Sequence, residues 1–306
     1  MNAKYHLPVM PAEVISYLKI DPSGTYVDCT FGGGGHSQLI LDHLNAKGKL
    51  IAFDQDKDAL QNKLSDDRFL LIPQNFRHLL RFLRLHNITR INGLLADLGI
   101  SSHQIDEPSR GFSTRFEAPL DMRMKNDDKK TAADILKNYS QNDLHKIFEE
   151  YGEVTNSKTL AKHIIEARYH QSLSTVTEFK NVLYPIVKGN PDKYFAQVFQ
   201  ALRIEVNDEL VALKEMLIQG TQVLAEGGRM VLITFHSLED RIVKNYFKSA
   251  GIEGEVEDKI YGKKIPSSLE VITKKPITAS MEEVKNNPRS RSAKLRVAEK
   301  KVSKNI

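Results

Sequence analysis

The chain has 306 residues, 41% of them hydrophobic and 27% charged, with a formal net charge of +5 and a single cysteine, Cys29. These values exclude a fibrous or disordered chain, a disulfide framework and a Cys-based zinc cluster, and the length suits one large core or one core with an inserted domain. No stretch is apolar over a bilayer's thickness and the opening Met1-Asn-Ala-Lys-Tyr-His-Leu-Pro-Val9 lacks a signal core, so a cytoplasmic, membrane-free protein is expected.

Taken in chain order, the first hundred residues alternate helix and strand. Helical patterns cover Pro11–Leu18, Ser37–Leu44, Lys57–Leu64 and Phe76–Leu85, and β-prone runs cover Thr25–Phe31, Lys49–Asp54, Phe69–Ile72 and Ile91–Asp97. Cys29 falls inside the first run, where a thiol acts as a small buried apolar residue. After Gln104 the β-branched runs disappear and helical spacings take over, broken by Gly152 and Gly189-Asn-Pro191. The strand pattern returns after a long helix over Val206–Leu224 and a Gly227-Gly228 turn, with runs at Arg229–Phe235, Glu270–Thr273 and Lys294–Ala298. The expected fold is α/β, a Rossmann-like sheet with an inserted all-helical domain. The expected bounds are 1–106 for the first part of the sheet domain, 107–204 for the insert and 205–306 for the second part.

The first two strands flank Phe31-Gly-Gly-Gly-Gly-His-Ser37, and the second ends on Asp54, 19 residues after Gly35. Glycines there remove each Cβ that would block a ligand, and a carboxylate at the end of the neighbouring strand can accept from both hydroxyls of a ribose. The dinucleotide fingerprint needs a third glycine at 37 or 38, where Ser37 and Gln38 stand. A cofactor without a pyrophosphate needs no such glycine. Asp28, just before the loop, is expected beside a cationic amino-acid group, so S-adenosyl-L-methionine fits better than NAD.

Ligands of open α/β sheets bind outside the carboxyl ends of the strands. The residues expected there are Gly32 to His36, Asp54, Asn75 and Phe76, Asp97 to Gln104, and Phe235-His-Ser-Leu-Glu239. Each has an ordinary alternative: His36 as a helix cap, Asp97 bonding backbone amides, Phe76 as core. Beyond Arg241 basic residues outnumber acidic ones about two to one, with pairs at Lys263-Lys264 and Lys274-Lys275. Arg289, Arg291, Lys294 and Arg296, spaced through serines, match phosphate contacts to a polyanion.

Phe31–Ser37, Asp97-Leu-Gly-Ile-Ser-Ser-His-Gln104 and Phe235-His-Ser-Leu-Glu-Asp-Arg-Ile-Val-Lys244, together with Arg110-Gly-Phe-Ser113, Pro119-Leu-Asp-Met-Arg-Met124 and Asn287-Pro-Arg-Ser-Arg-Ser292, closely resemble the bacterial 16S rRNA (cytosine-N4)-methyltransferase (MraW) family over essentially the whole chain. The resemblance implies S-adenosylmethionine as methyl donor, a cytidine amine in the decoding region of small-subunit ribosomal RNA as acceptor, and as partner that RNA or the assembled 30S particle; a homodimer is compatible with it. It places cofactor contacts on Gly34, Gly35, His36, Asp54, Phe76, Asp97 and Gln104. The Asp/Asn-Pro-Pro-aromatic motif of many amino-methyltransferases is replaced by Asp97-Leu-Gly-Ile100. The acceptor for the amine is therefore open between Asp97 and a backbone carbonyl of Leu98 to Ser101, with His236 or Ser237 facing the base. A DNA amino-methyltransferase and a non-catalytic RNA-binding factor of the same fold are the alternatives.

Overall fold

The computed structural model describes residues 8–249 and 268–302, so the basic pair Lys263-Lys264 lies outside the described residues. The chain divides into two compact units, Met1–Gly99 with Val211–Ile306, and Ile100–Leu210. The second is wider at both ends than the segment 107–204 expected from loss of strand pattern.

The first unit opens with α1 (Pro11–Leu18), β1 (Thr25–Asp28), α2 (Gly35–His43), β2 (Lys49–Phe53), a single turn α3 (Lys57–Leu60), β3 (Phe69–Ile72), a 3-10 turn at Phe76–His78 running into α4 (Leu79–Leu85), and β4 (Ile91–Asp97). α3 is shorter than its apolar spacing predicts. The Asn62 amide donates to the Gly32 carbonyl at 3.1 Å, a contact that ties this segment to the glycine loop.

Apart from an isolated antiparallel bridge between Pro119 and Thr175, the described secondary structure of the second unit is helical: α5 (Ser102–Asp106), a 3-10 turn at Pro108–Arg110, α6 (Ala132–Asn138), α7 (Gln141–Glu150), α8 (Ser157–Ala167), α9 (Val176–Leu183), a 3-10 turn at Tyr184–Ile186 and α10 (Pro191–Asn207). The side chains of Ser101, Thr131 and Thr175 each accept from the amide three residues on, and their own amides donate to the side chain there, closing capping boxes on α5, α6 and α9. Leu144, Phe148, Leu160, Ile164, Phe179 and Val198 pack its own core. Buried Arg110 donates to the carbonyls of Arg123 and Met124 at 3.0 and 3.1 Å, and Asn207 bonds Met122 and Met124, so two of the long sequence motifs brace each other.

The helix expected over Val206–Leu224 is α11 (Glu209–Val223); Asp208, in the left-handed region at φ 51°, separates it from α10, which keeps Val206 and Asn207. The chain continues through β5 (Leu224–Thr234), α12 (Ser237–Ser249), β6 (Leu269–Val271), β7 (Ile277–Thr278), α13 (Met281–Asn286), a 3-10 turn at Pro288–Ser292 and β8 (Lys294–Lys300). The Gly227-Gly228 turn sits inside β5 as an irregularity, where pairing with β4 jumps from Ile91↔Leu224 to Gly93↔Arg229. Strand order is β3-β2-β1-β4-β5-β8-β6, with β7 also on β8; the first five strands are parallel, and β8 is antiparallel to its neighbours. Buried strand faces such as Val27, Ile51 and Leu94 pack against α11 and α12 on one side, while Tyr26, Leu50 and Leu95 pack with α1 and α2 on the other. Order 3-2-1-4-5 is that of doubly wound nucleotide-binding sheets, and it puts the switch point between β1 and β4. No helix among the described residues is long and apolar enough to cross a membrane.

Candidate active site

The glycine loop lies where β1 gives way to α2. Gly32 and Gly34 hold left-handed φ of 51° and 78°, which a side chain would strain. A Cβ on Gly34 would meet the Phe31 ring at 3.1 Å and one on Gly35 would meet Pro8 at 3.1 Å, whereas one on Gly32 or Gly33 would meet nothing within 4 Å among the described residues. The loop therefore has a packed side at Gly34 and Gly35 and an open side at Gly32 and Gly33. The four letters are identical in the sequence, and only the backbone conformation tells them apart.

Asp54, just past β2, points back into this loop. Its Oδ2 accepts from the Gly32 amide at 2.8 Å and its Oδ1 from the Asp56 amide at 2.9 Å. A carboxylate offers about four lone-pair sites, so each oxygen keeps capacity for a ribose hydroxyl. Burial raises its pKa to about 6, against the lowering effect of the two amides. Past β3, the Asn75 side chain caps the turn at Phe76–His78, and the half-buried Phe76 ring rests on the core beside it.

Asp28 departs from expectation. It is fully buried, accepting at Oδ2 from the Ser37 hydroxyl at 2.7 Å and at Oδ1 from the Thr30 amide at 3.0 Å, so it anchors the loop and does not face a ligand. Thr30 extends the brace by accepting from the Asp97 amide at 2.7 Å. The spacing gave no hint of either hydroxyl's role. Cys29 is buried and free, its thiol pushed well up by burial and by the Asp28 carboxylate, which agrees with an inert core residue.

Asp97 ends β4 beside the loop. Its Oδ2 lies 3.8 Å from His36 Nδ1, and the His36 Nε2 is 2.8 Å from the Val9 carbonyl. Its Oδ1 is buried without a hydrogen-bond partner among the described residues. Burial is the main cause that pushes the Asp97 carboxyl up to about 7, with Asp28, Glu239 and Glu283 adding to it and His36 opposing. A buried polar atom without a partner is costly, and a ligand that supplies a donor relieves it.

His236 follows β5. Its ring is almost buried, with Nε2 3.1 Å from Glu239 Oε1, an ion-pair approach that lacks the alignment of a hydrogen bond. Buried Glu239 also accepts from the Phe235 amide at 2.9 Å, capping α12, while Ser237 is exposed at the helix start. Gln104 lies in the second unit, and its side-chain oxygen closes the capping box on Ser101 at 3.0 Å.

The basic cluster does not act as one group. Arg296 is 5% exposed and forks onto Asp240, Nε to Oδ1 at 2.6 Å and Nη2 to Oδ2 at 3.1 Å, so it is a structural ion pair and not a free phosphate contact. Its position in β8 explains this, because alternation sends its side chain under α12. Lys294 reaches the same carboxylate at 3.8 Å, Arg289 is half-buried, and Arg291 is exposed.

Open space over Gly32 and Gly33 and the free capacity of Asp54 suit an adenosyl amino acid, and the missing third glycine argues against a pyrophosphate. The first unit is thus that of an S-adenosylmethionine-dependent methyltransferase. The chain belongs to the MraW methylase family, whose model matches residues 3–301. Proteins named Ribosomal RNA small subunit methyltransferase H are similar to it throughout. That of Azobacteroides pseudotrichonymphae is 52% identical over 297 residues, covering 97% of each chain. Those of Cytophaga hutchinsonii and Bacteroides thetaiotaomicron are 51% and 49% identical, with 97% of this chain covered in both and 99% and 98% of theirs.

Proposed function

We propose that this chain methylates ribosomal RNA of the small subunit, and that the atom modified is N4 of a cytidine in the decoding region. The Gly32–Gly33 face and Asp54 would hold S-adenosylmethionine, which would supply an electrophilic methyl group and leave as S-adenosylhomocysteine. Cytosine N4 is a weak nucleophile because its lone pair is delocalised into the ring, so the site must orient it and receive a proton. Asp97 accepts a hydrogen bond from the amine and takes the proton that the nitrogen loses once it carries the methyl group. His36 sits beside Asp97 and holds that carboxylate in place, and His236, itself engaged by Glu239, is a positioning residue at the β5 end. The single observation that carries this reading is the buried Asp97 Oδ1, unpartnered among the described residues, beside the open glycine face. The helical unit, with its separate core, is assigned to substrate recognition.

The test is base-resolution mapping of N4-methylcytidine in small-subunit RNA from a strain lacking the gene, complemented by wild type or Asp97→Asn. Expected is loss of one modified cytidine, restored by wild type alone; an unchanged map overturns the reading. Parallel tritium transfer to naked RNA, 30S particles and duplex DNA decides the acceptor, with 30S expected to be preferred and DNA inert. Cytoplasmic location follows from that acceptor, and light scattering decides whether the working form is a homodimer.

A further inference from the structure

α12 and the sheet end at β8 and β6 line a half-open groove of about 300 Å³, apart from the residues assigned to the cofactor. Phe247 and Val271 form an apolar floor, Arg296 lines one wall, and Lys244, Lys248 and Lys274 stand around it. The three lysines are exposed and have no ion-pair or hydrogen-bond partner among the described residues. Lys244 and Lys248 are one helical turn apart, a like-charge pair that disfavours an isolated helix. Among the described residues, nearby acids do not neutralise them. Asp240 is taken by Arg296 and Lys294, Glu239 is buried under the helix start, and strand alternation sends Glu270 to the face of β6 opposite Val271.

Ammonium groups without a partner among the described residues, around a small apolar floor, match a sugar–phosphate strand, with phosphates on the lysines and a ribose against Val271 above the buried Phe247. α12 starts at Ser237, at the carboxyl end of β5, and at the helical rise of 1.5 Å per residue Lys244 and Lys248 lie about 10 and 17 Å along it. An RNA strand with a base at the β5 end crosses that distance within a few nucleotides. We infer that this groove holds the backbone of the substrate RNA a few nucleotides from the target cytosine, a contact separate from the Arg289–Arg291 turn. The inference rests on the reading of the chain as an RNA methyltransferase.

The test measures binding of a single-stranded RNA oligonucleotide and of small-subunit RNA by fluorescence anisotropy over a salt series, for wild type and Lys244→Ala/Lys248→Ala/Lys274→Ala. Each lost contact to a single strand should flatten the salt slope by about 0.7, so a decrease of about two is expected, with Kd about tenfold weaker at low salt. KM for RNA should rise with little change in kcat, S-adenosylmethionine affinity and Tm should stay the same, and the triple Lys→Arg variant should keep most of the binding. An unchanged slope and Kd in the Ala variant, while wild type binds and methylates RNA, overturns the groove and leaves the enzyme reading standing. A wild-type protein that neither binds nor methylates RNA overturns both.

Discussion

His36 Nδ1 stands 3.8 Å from Asp97 Oδ2, which joins the helix after the glycine loop to the end of β4 and leaves the other Asp97 oxygen buried and unpaired among the described residues. With Thr30 bridging Asp28 and the Asp97 amide, the ends of the two central strands are fixed to each other. Preorganised acceptors of this kind cost no rearrangement when substrate arrives.

Asp97→Asn keeps the shape but cannot receive a proton, and kcat should fall by about 10² to 10⁴ while S-adenosylmethionine binding changes little. The wild-type rate should rise through pH about 7 as the carboxyl ionises, and the variant's residual rate should lack that limb. Single-turnover rates across pH 5.5 to 8.5, on the order of the chosen window, check both.

Stability should move the other way. Because the folded protein holds the Asp97 proton more tightly than the unfolded chain, this group's contribution is full below the ordinary carboxylate value and is lost as pH rises through about 7. At pH 8 Asp97→Asn should therefore be more stable than wild type, by about 2–4 kcal/mol, with the difference vanishing near pH 4. Urea titrations at the two pH values measure it, and a variant less stable at pH 8 refutes the assignment.

Asp54→Ala removes the acceptor expected at the ribose, so S-adenosylmethionine affinity should drop by about 1.5–3 kcal/mol with RNA affinity kept. In wild type, affinity should weaken as pH falls through about 6, where the Asp54 carboxyl takes up its proton. Calorimetry giving equal affinities for variant and wild type would remove Asp54 from the pocket.

Two alanine substitutions in the loop should separate cleanly. Gly33→Ala puts a methyl group into open space, leaving Tm unchanged and weakening the cofactor by about 1–3 kcal/mol. Gly34→Ala forces a side chain to φ 78° against Phe31, so it should cost about 1–2 kcal/mol of stability first. Paired thermal melts and binding isotherms distinguish them.

Arg296→Ala strips the bidentate partner from the sheltered Asp240 carboxylate, leaving Lys294 at 3.8 Å, and should destabilise the fold by about 3 kcal/mol, whereas Arg296→Met with Asp240→Leu should recover most of it. Arg291→Ala should leave Tm alone and flatten the RNA salt slope by about one unit. Identical behaviour of the two single variants would contradict the division of the basic cluster.

Local pattern carried the sheet's skeleton. β3, β4 and α1 lie over the spans that their β-prone and amphipathic patterns mark, because buried parallel strands and helix faces write their period into the sequence. The glycine loop and Asp54 were legible for the same reason, as a turn and a strand end separated by one helix. Three matters were decided only by tertiary structure. Which glycines face open space depends on where Phe31 and Pro8 pack; whether Asp28 meets a ligand or Ser37 depends on the start of α2; and whether Arg296 meets a phosphate or Asp240 depends on β8 lying antiparallel beneath α12. In each case the side chain's own chemistry admits both partners, and contacts between residues distant in the chain select one.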